Sequence, residues 1–350
     1  MKKAKKIIAL LLTLAFVATM ISCGKNQEQE HIHKIGVLVY DLKDEQVQAF
    51  REYLESYIAG NFSDVDFLYS SEVTTEEKEM EFLNNAIAEG VEGVLAFNSF
   101  DLEKEVSLCA ENGVYFIRPS STTAPEDFDK VADNPYFLGY FGPGSEMEYE
   151  AGYDMGAYFA DEQMSDSYFL LSGGADTNVM HEQRAEGMLD ALQEAYGVQF
   201  EQSSAELASA SEPVSVEAGN LKVTVFPGYI GVPDVGEKAV AEFEKDPAGV
   251  VMSTIPVQAI ADSLGDASLG TVDCYTETNG ELFRNGNLKY LCGKYESIIG
   301  PAFAAMYNAV TGYSEDFRED GKAFAIQQGF WTSTNYQDFQ KTESLVQVQL

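Results

Sequence analysis

The chain has 350 residues, with 22 Lys and Arg against 57 Asp and Glu, a formal net charge of −35. Such a balance repels phosphate backbones and argues against nucleic acid as a partner. Apolar residues at 45% and aromatic residues at 12% exclude disorder for the main body, and the length suits two domains.

Residues 1–22 read as an export leader. Lys2, Lys3, Lys5 and Lys6 precede an apolar run, Ile7 to Met20, shorter than the roughly 20 residues a spanning helix needs. The run ends in Met20-Ile21-Ser22-Cys23-Gly24, which resembles the lipobox of bacterial lipoproteins, with Met20 in place of the commoner Leu. That resemblance implies cleavage before Cys23 and a palmitate-type lipid on Cys23. It also implies display at the extracytoplasmic face of the cell membrane. One acyl chain binds only marginally, so the implied modification is of the diacyl type. Residues 23–33 then read as a polar tether that includes His31 and His33. Without the leader, 18 Lys and Arg face 57 acids.

Beyond Cys23 the cysteines are Cys109, Cys274 and Cys292, whose spacing matches no zinc or redox motif. Three thiols leave at least one free, and no disulfide is expected between Cys274 and Cys292. The chain has three histidines, His31, His33 and His181, and two sit in the tether, which argues against a His-rich metal site; His31-Ile32-His33 could touch a metal loosely, but a solvated tail is the expected reading, and no metal and no cofactor are expected.

Apolar runs and amphipathic stretches then alternate. Strands are predicted at Ile35 to Tyr40, Val65 to Tyr69, Gly93 to Phe97, Val114 to Ile117 and Phe137 to Phe141. Helices are predicted at Asp44 to Ala59, at Thr74 to Glu89 with Thr74 as N-cap, and at Asp101 to Glu111. The pattern restarts after Gly142-Pro143-Gly144 with helices at Met147 to Ala160 and Asn178 to Tyr196 around a strand at Tyr168 to Leu171. Further strands are predicted at Lys222 to Phe226, Gly249 to Met252, Gly270 to Cys274 and Leu288 to Cys292. Further helices are predicted at Glu237 to Glu244, Val257 to Leu264 and Ser297 to Val310. Ser203 to Gly219 reads as a surface insertion without periodicity, and Leu345 to Val348 as a late strand. Nearly all-apolar strands alternating with helices imply parallel sheets covered on both faces.

Four blocks resemble the sugar-binding branch of the type I periplasmic binding proteins. They are Gly173-Gly174 through Asn178, Arg184 and Gly187; Gly270-Thr271-Val272-Asp273; Gly300 with Ala304, Ala305 and Thr311-Gly312; and Ala151 to Gly156. The likeness covers roughly Lys34 to Gly312. It departs from the family's pattern at Asp41 to Asp44, at Arg118-Pro119 and at Lys294. The fold class it implies is α/β, with two doubly wound parallel-sheet domains joined by a multi-strand hinge. The expected first lobe is 34–142 plus 294–322, and the second is 143–293 plus 323–350. The same architecture occurs in repressors, but no basic DNA-reading helix precedes it here.

In open parallel sheets a ligand lies beyond the carboxyl ends of the strands. That rule nominates Tyr40, Asp41, Asn98, Ser99, Arg118, Gly173 to Asn178, Ser253, Thr254, Asp273, Tyr275 and Lys294, and the family match adds Arg184. Polar groups with aromatic neighbours suit a sugar, whose hydroxyls need donor–acceptor pairs and whose CH faces stack on rings. His181 reads as a helix-surface residue. Among cations, Arg118, Arg184 and Lys294 either grip an anionic ligand or neutralise Asp41, Asp176 and Asp273 around a neutral one.

No nucleophile elbow, His-Glu-x-x-His or Walker loop is present, so the chain is expected not to be an enzyme. The resemblance implies a monomeric, lipid-anchored solute-binding protein that delivers a small polar ligand, foremost a sugar, to the permease of an ABC importer. A ligand-binding sensor working with a membrane kinase stays open, as does a nucleoside, an amino acid or another small anion as ligand.

Overall fold

The computed structural model describes residues 31–347 except 175–177, 295 and 319. The leader, Cys23 and Asp176 therefore lie outside the described residues. No helix among those described is long and apolar enough to cross a membrane.

The strands are β1 (His33–Leu38), β2 (Val65–Tyr69), β3 (Gly93–Ala96), β4 (Tyr115–Arg118), β5 (Phe137–Gly142), β6 (Ser167–Leu171), β7 (Val214–Ala218), β8 (Leu221–Phe226), β9 (Val250–Ser253), β10 (Ser268–Cys274), β11 (Leu288–Lys294), β12 (Phe324–Gln327) and β13 (Trp331–Ser333). They form a six-stranded sheet, β12-β5-β4-β3-β1-β2, and a seven-stranded sheet, β13-β11-β10-β9-β6-β8-β7. Every pairing is parallel except the two edge pairings β7·β8 and β11·β13. Both sheets carry one winding. Counting the parallel strands alone, without the antiparallel edge strand β7, the first strand of each unit lies between its second and third, so the order is 2-1-3-4-5 twice. The fold class is thus the doubly wound α/β class, present in duplicate.

Period-two alternation explains why both faces are covered. Ile35, Val37, Leu95 and Ile117 pack on one side of the first sheet with Phe50, Phe303 and Met306. Leu38, Val94, Ala96 and Phe116 pack on the other with Leu83 and Val106. In the second sheet Phe169, Leu171, Val251 and Leu269 face one core, and Tyr168, Leu170, Val250 and Met252 the other.

The chain crosses between sheets three times, after β5, after β11 and between β12 and β13. The lobe bounds expected from the sequence put a third change of lobe at 322/323, which is corrected here: Phe324–Gln327, expected in the second lobe, pairs in parallel with Gly139–Gly142 at the edge of the first sheet. Four residues at an edge, mostly half-buried or exposed, carry no apolar run to be seen. The crossings lie side by side, with Gln328 N donating to the Gly142 carbonyl at 2.9 Å.

Other expectations shift. Thr75, not Thr74, caps the helix Glu76–Ala88. Ser203–Gly219 holds a helix, Ser204–Ala208, closed by a capping box, and then β7, which pairs with β8 as a hairpin. Val257–Leu264 contains only the short turn Ala261–Ser263. The tail is a helix, Tyr336–Gln347, rather than a strand. Cys109, Cys274 and Cys292 are buried and free. Cys274 lies opposite Lys294, and Cys292 opposite Val272, so the two thiols are out of register.

Candidate functional site

The carboxyl ends of both sheets face each other, and polar groups collect there in two clusters. The first cluster begins with a close helix pair. Gly152 in the helix Ser145–Asp161 and Gly187 in the helix Val179–Tyr196 meet backbone of the opposite helix, so a Cβ at either would overlap it. That approach presses Glu148 against Arg184. Arg184 Nε donates to Glu148 Oε2 at 2.6 Å and Nη1 to the Thr254 carbonyl at 2.7 Å. Thr122, from the loop after β4, donates its hydroxyl to Glu148 Oε1 at 2.7 Å. The ring of Phe330, on the third crossing, lies 5.6 Å from the Arg184 guanidinium and 5.2 Å from Lys294 Nζ.

Lys294 ends β11, is 5% exposed, and donates to the Ser120 carbonyl at 3.3 Å. Burial lowers its pKa. His181 is not a bland surface residue. Its Nδ1–H donates to the Gly173 carbonyl. Burial, then the Arg184 charge, push its pKa down to about 4. The ring is therefore neutral at pH 7 and offers Nε2 as an acceptor.

The second cluster surrounds Asp273, near the end of β10. Its Oδ2 accepts from Gln258 Nε2 at 2.9 Å and from Asn279 Nδ2 at 2.6 Å. Burial raises its pKa to about 7. Asp273 Oδ1, Gln258 Oε1, Asn279 Oδ1 and Thr254 Oγ1 are buried without a hydrogen-bond partner among the described residues. The helix Glu45–Glu52 of the first lobe reaches across to this group. Glu45 accepts from Thr278 at 2.5 Å and from Gln258 at 3.2 Å, and Gln46 Nε2 donates to Cys274 Sγ at 2.9 Å. Tyr40, just past β1, faces Asp44 and, across the cleft, Tyr229. Burial raises the pKa of both phenols.

The structure thus brings together Tyr40 and Asp273 at one cluster and Arg184 and Lys294 at the other. The remaining nominees hold backbone or face elsewhere. Asp41 Oδ1 accepts from Lys43 N at 2.9 Å in a turn. Asn178 caps its helix through Met180 N at 3.0 Å. Ser253 closes a local turn with Ile255 at 2.6 Å. Tyr275 packs into the core of the second lobe, with its hydroxyl 2.9 Å from Ser333 Oγ. Arg118 donates to Thr122 and Thr123 and feels Glu105, Glu79 and Asp127. With Ser99 it lines an open recess of about 380 Å³. Glu148, rather than Asp41 or Asp273, pairs with Arg184.

Asn98 belongs to a buried carboxyl pair. Its Nδ2 donates to Glu79 Oε1 at 2.8 Å, and Phe100 N donates to both Glu79 and Glu105. Both carboxyls are fully buried. Burial, then the hydrogen bond with Glu105, raise the Glu79 pKa, so Glu79 keeps a proton between the two carboxyls at neutral pH. A raised carboxyl pKa means that the native state keeps a proton the unfolded chain has released. Stability therefore falls as pH rises from the unfolded value of about 4.3 toward the raised one. Glu79→Gln should remove that slope and add on the order of 1 kcal/mol at pH 8, with the Asn98 amide turned over. Urea unfolding at pH 5 and pH 8 checks it; an unchanged slope in the variant would refute the shared proton.

Glu148, Gln258, Asn279 and Tyr229 were missed. Tyr229 follows the end of β8 by three residues, and Gln258 and Asn279 follow β9 and β10 by five, so the strand-end rule stopped just short of them, whereas Glu148 had no signal beyond a carboxylate in a helix.

No protein-family model matches the chain, and no curated protein matches it. Solved structures do. One is the periplasmic binding protein of an arabinose ABC transporter from Shewanella sp. ANA-3, at TM-score 0.62 and 14% identity, covering 90% of this chain and 97% of that one. Another is a solute-binding protein from Bacillus halodurans with bound myo-inositol, at 0.64 and 14%, covering 90% and 98%. A galactofuranose-binding protein matches at 0.64 and 11%, covering 89% and 99%. A LacI-type regulator from Bacteroides fragilis also matches, at 0.61 and 13%, covering 89% and 99%. At such identities the likeness is one of fold, and the chain has the two-lobed type I fold of the periplasmic binding proteins.

Proposed function

We propose that the chain is a lipid-anchored, extracytoplasmic solute-binding protein that encloses a small neutral sugar and presents it to an ABC importer. One observation carries the reading. Beyond the ends of β9 and β10, Asp273, Gln258 and Asn279 hold three acceptor oxygens without a hydrogen-bond partner among the described residues, near the phenols of Tyr40 and Tyr229. A sugar supplies hydroxyl donors to such acceptors and a CH face to the rings. Similarly folded proteins that bind arabinofuranose, myo-inositol and galactofuranose support the ligand class, and the ABC-transporter components among them support the importer. Lipid on Cys23 and the cell-membrane location rest on the lipobox resemblance.

Neutrality of the ligand follows from how the cations are used. Arg184 is paired to Glu148, and Arg118 faces Glu79, Glu105 and Asp127. That leaves the buried Lys294 to meet a carboxylate alone, while acceptor oxygens dominate around Asp273. A thermal-shift screen of neutral sugars, uronates, nucleosides and amino acids tests the reading. A binder at 100 times its Kd should stabilise by about 2.7 kcal/mol, a shift of several degrees. A shift confined to amino acids, nucleosides or uronates would overturn the neutral-sugar assignment. Absence of turnover of the bound sugar distinguishes a receptor from an enzyme.

A further inference from the structure

We propose that His31, His33 and Glu92 form a binding site for a divalent transition-metal ion of the zinc type. It lies where the chain enters its first strand. From the sequence, His31-Ile32-His33 reads as a solvated tether with at most a loose metal contact. Instead His33 opens β1 and is 9% exposed. His31 lies two residues earlier, and strand periodicity places positions two apart on one side. The two rings stand 4.7 Å apart, edge to face. Glu92 directly precedes β3, the neighbour of β1, and its N–H donates to the Lys34 carbonyl at 2.8 Å. That register aims its carboxylate at both rings. His31 Nε2 is 2.7 Å from Oε1, and His33 Nδ1 is 3.0 Å from Oε2.

Two imidazole nitrogens and one carboxylate oxygen make a ligand set that zinc takes, with a fourth position left for water. Bonds of about 2.0–2.1 Å in tetrahedral array need ligand atoms about 3.4 Å apart. The observed spacings therefore have to open by about 0.7 Å at His31 and about 0.4 Å at His33. The His31 side chain, 69% exposed, is free to swing that far and leaves a path for the ion. His33 is held in place. Its N–H donates to the Asp64 carbonyl at 2.7 Å, and Tyr307 packs edge-on against its ring while donating to Asp64 Oδ2 at 2.8 Å. Such outer support orients a ligand before the ion arrives. The chain has three histidines in 350 residues, and two of them converge on one carboxylate. The surrounding negative charge also raises the local concentration of cations.

The site lies at the starts of the strands, whereas the clusters around Asp273 and Arg184 lie at their carboxyl ends. A bound ion would clamp residue 31 to the first lobe and leave the cleft untouched. The proposal therefore stands apart from the sugar reading, and neither fails with the other.

The test is calorimetric titration of Zn2+ into chelator-treated protein purified without a histidine tag. The expected result is one saturable site per chain, a rise in melting temperature with Zn2+, and no competition from Mg2+. His31→Ala, on an exposed side chain, and Glu92→Gln should each weaken Zn2+ binding at least about tenfold. His33→Asn, at the more buried ligand, is expected to do the same, and circular dichroism verifies that it folds. Absence of a one-to-one site overturns the proposal. So does a site whose affinity stays within about threefold in both His31→Ala and Glu92→Gln, since the three side chains would then only hydrogen-bond one another.

Discussion

Arg184→Ala should cost about 3–5 kcal/mol of unfolding free energy, because it leaves the Glu148 carboxylate buried without its cation. Glu148 is fully buried and Arg184 is 5% exposed, so water cannot replace the lost partner cheaply. The Thr254 carbonyl would lose a donor as well. Removing both charges should be far milder, since a desolvated pair gains little over an apolar one of similar volume. Arg184→Met with Glu148→Leu is therefore expected to recover most of the loss in urea unfolding. A single-variant cost below about 1 kcal/mol would contradict the geometry described for this pair. The expected effect includes the crossing region, because Thr122 and Phe330 lean on the same two side chains.

This pair also shows where reading the sequence stopped. Arg184 was legible through its place after Gly173-Gly174, but only as a ligand candidate. Its partner lies 36 residues earlier, on another helix. The contact exists because Gly152 and Gly187 let two backbones meet, and such pairing across elements leaves no local pattern. Strands β1, β3 to β6 and β8 to β11 were legible because each is an apolar run long enough to fill a two-faced sheet, and the edge strand β2 because only Asp66 interrupts its apolar residues. Strands β7, β12 and β13 were not, since none holds a buried apolar residue: β7 alternates half-buried with exposed positions, β12 is mostly exposed, and β13 buries only Ser333. The helix Glu277–Asn285 was missed for a related reason. It is short, and its mean composition is polar, although Thr276 caps it through Asn279 N at 3.3 Å.

For the site, the strand-end rule identified the right neighbourhood and mixed two kinds of residue. Tyr40 and Asp273 point polar atoms into the space between the lobes. Asp41, Asn178 and Ser253 spend theirs on turns and a cap. Short polar side chains beside a strand end satisfy local backbone first. Sequence position alone does not separate the two uses. Gln258 and Asn279 escaped notice because they lie on the loop and helix beside the strand ends, reaching Asp273 through long amide side chains.

Asp273→Ala should weaken sugar binding about 100-fold, the second large effect expected. A hydrogen bond to a charged group is worth about 1.5–3 kcal/mol, and truncation also strips Gln258 and Asn279 of their shared acceptor. The pH dependence gives a sharper test than the loss itself. Burial holds the Asp273 carboxyl up to about 7, with the nearby Asp44 adding in the same direction. Gln258 and Asn279 both donate to Oδ2, leaving the buried Oδ1 for a ligand hydroxyl. A hydroxyl donating there favours the ionised form. Binding should therefore tighten as pH rises through about 7, and the bound sugar should pull the Asp273 pKa down. Asp273→Asn keeps an acceptor oxygen but not the charge. It should lose about tenfold at pH 8 and less at pH 6, with the pH dependence flattened. Calorimetric titration of the sugar found by thermal shift, at those two pH values, measures both variants. Binding that weakens from pH 6 to pH 8 in the unaltered protein would mean that Asp273 acts as a protonated donor. Equal affinity in Asp273→Ala would place the sugar away from β10 altogether.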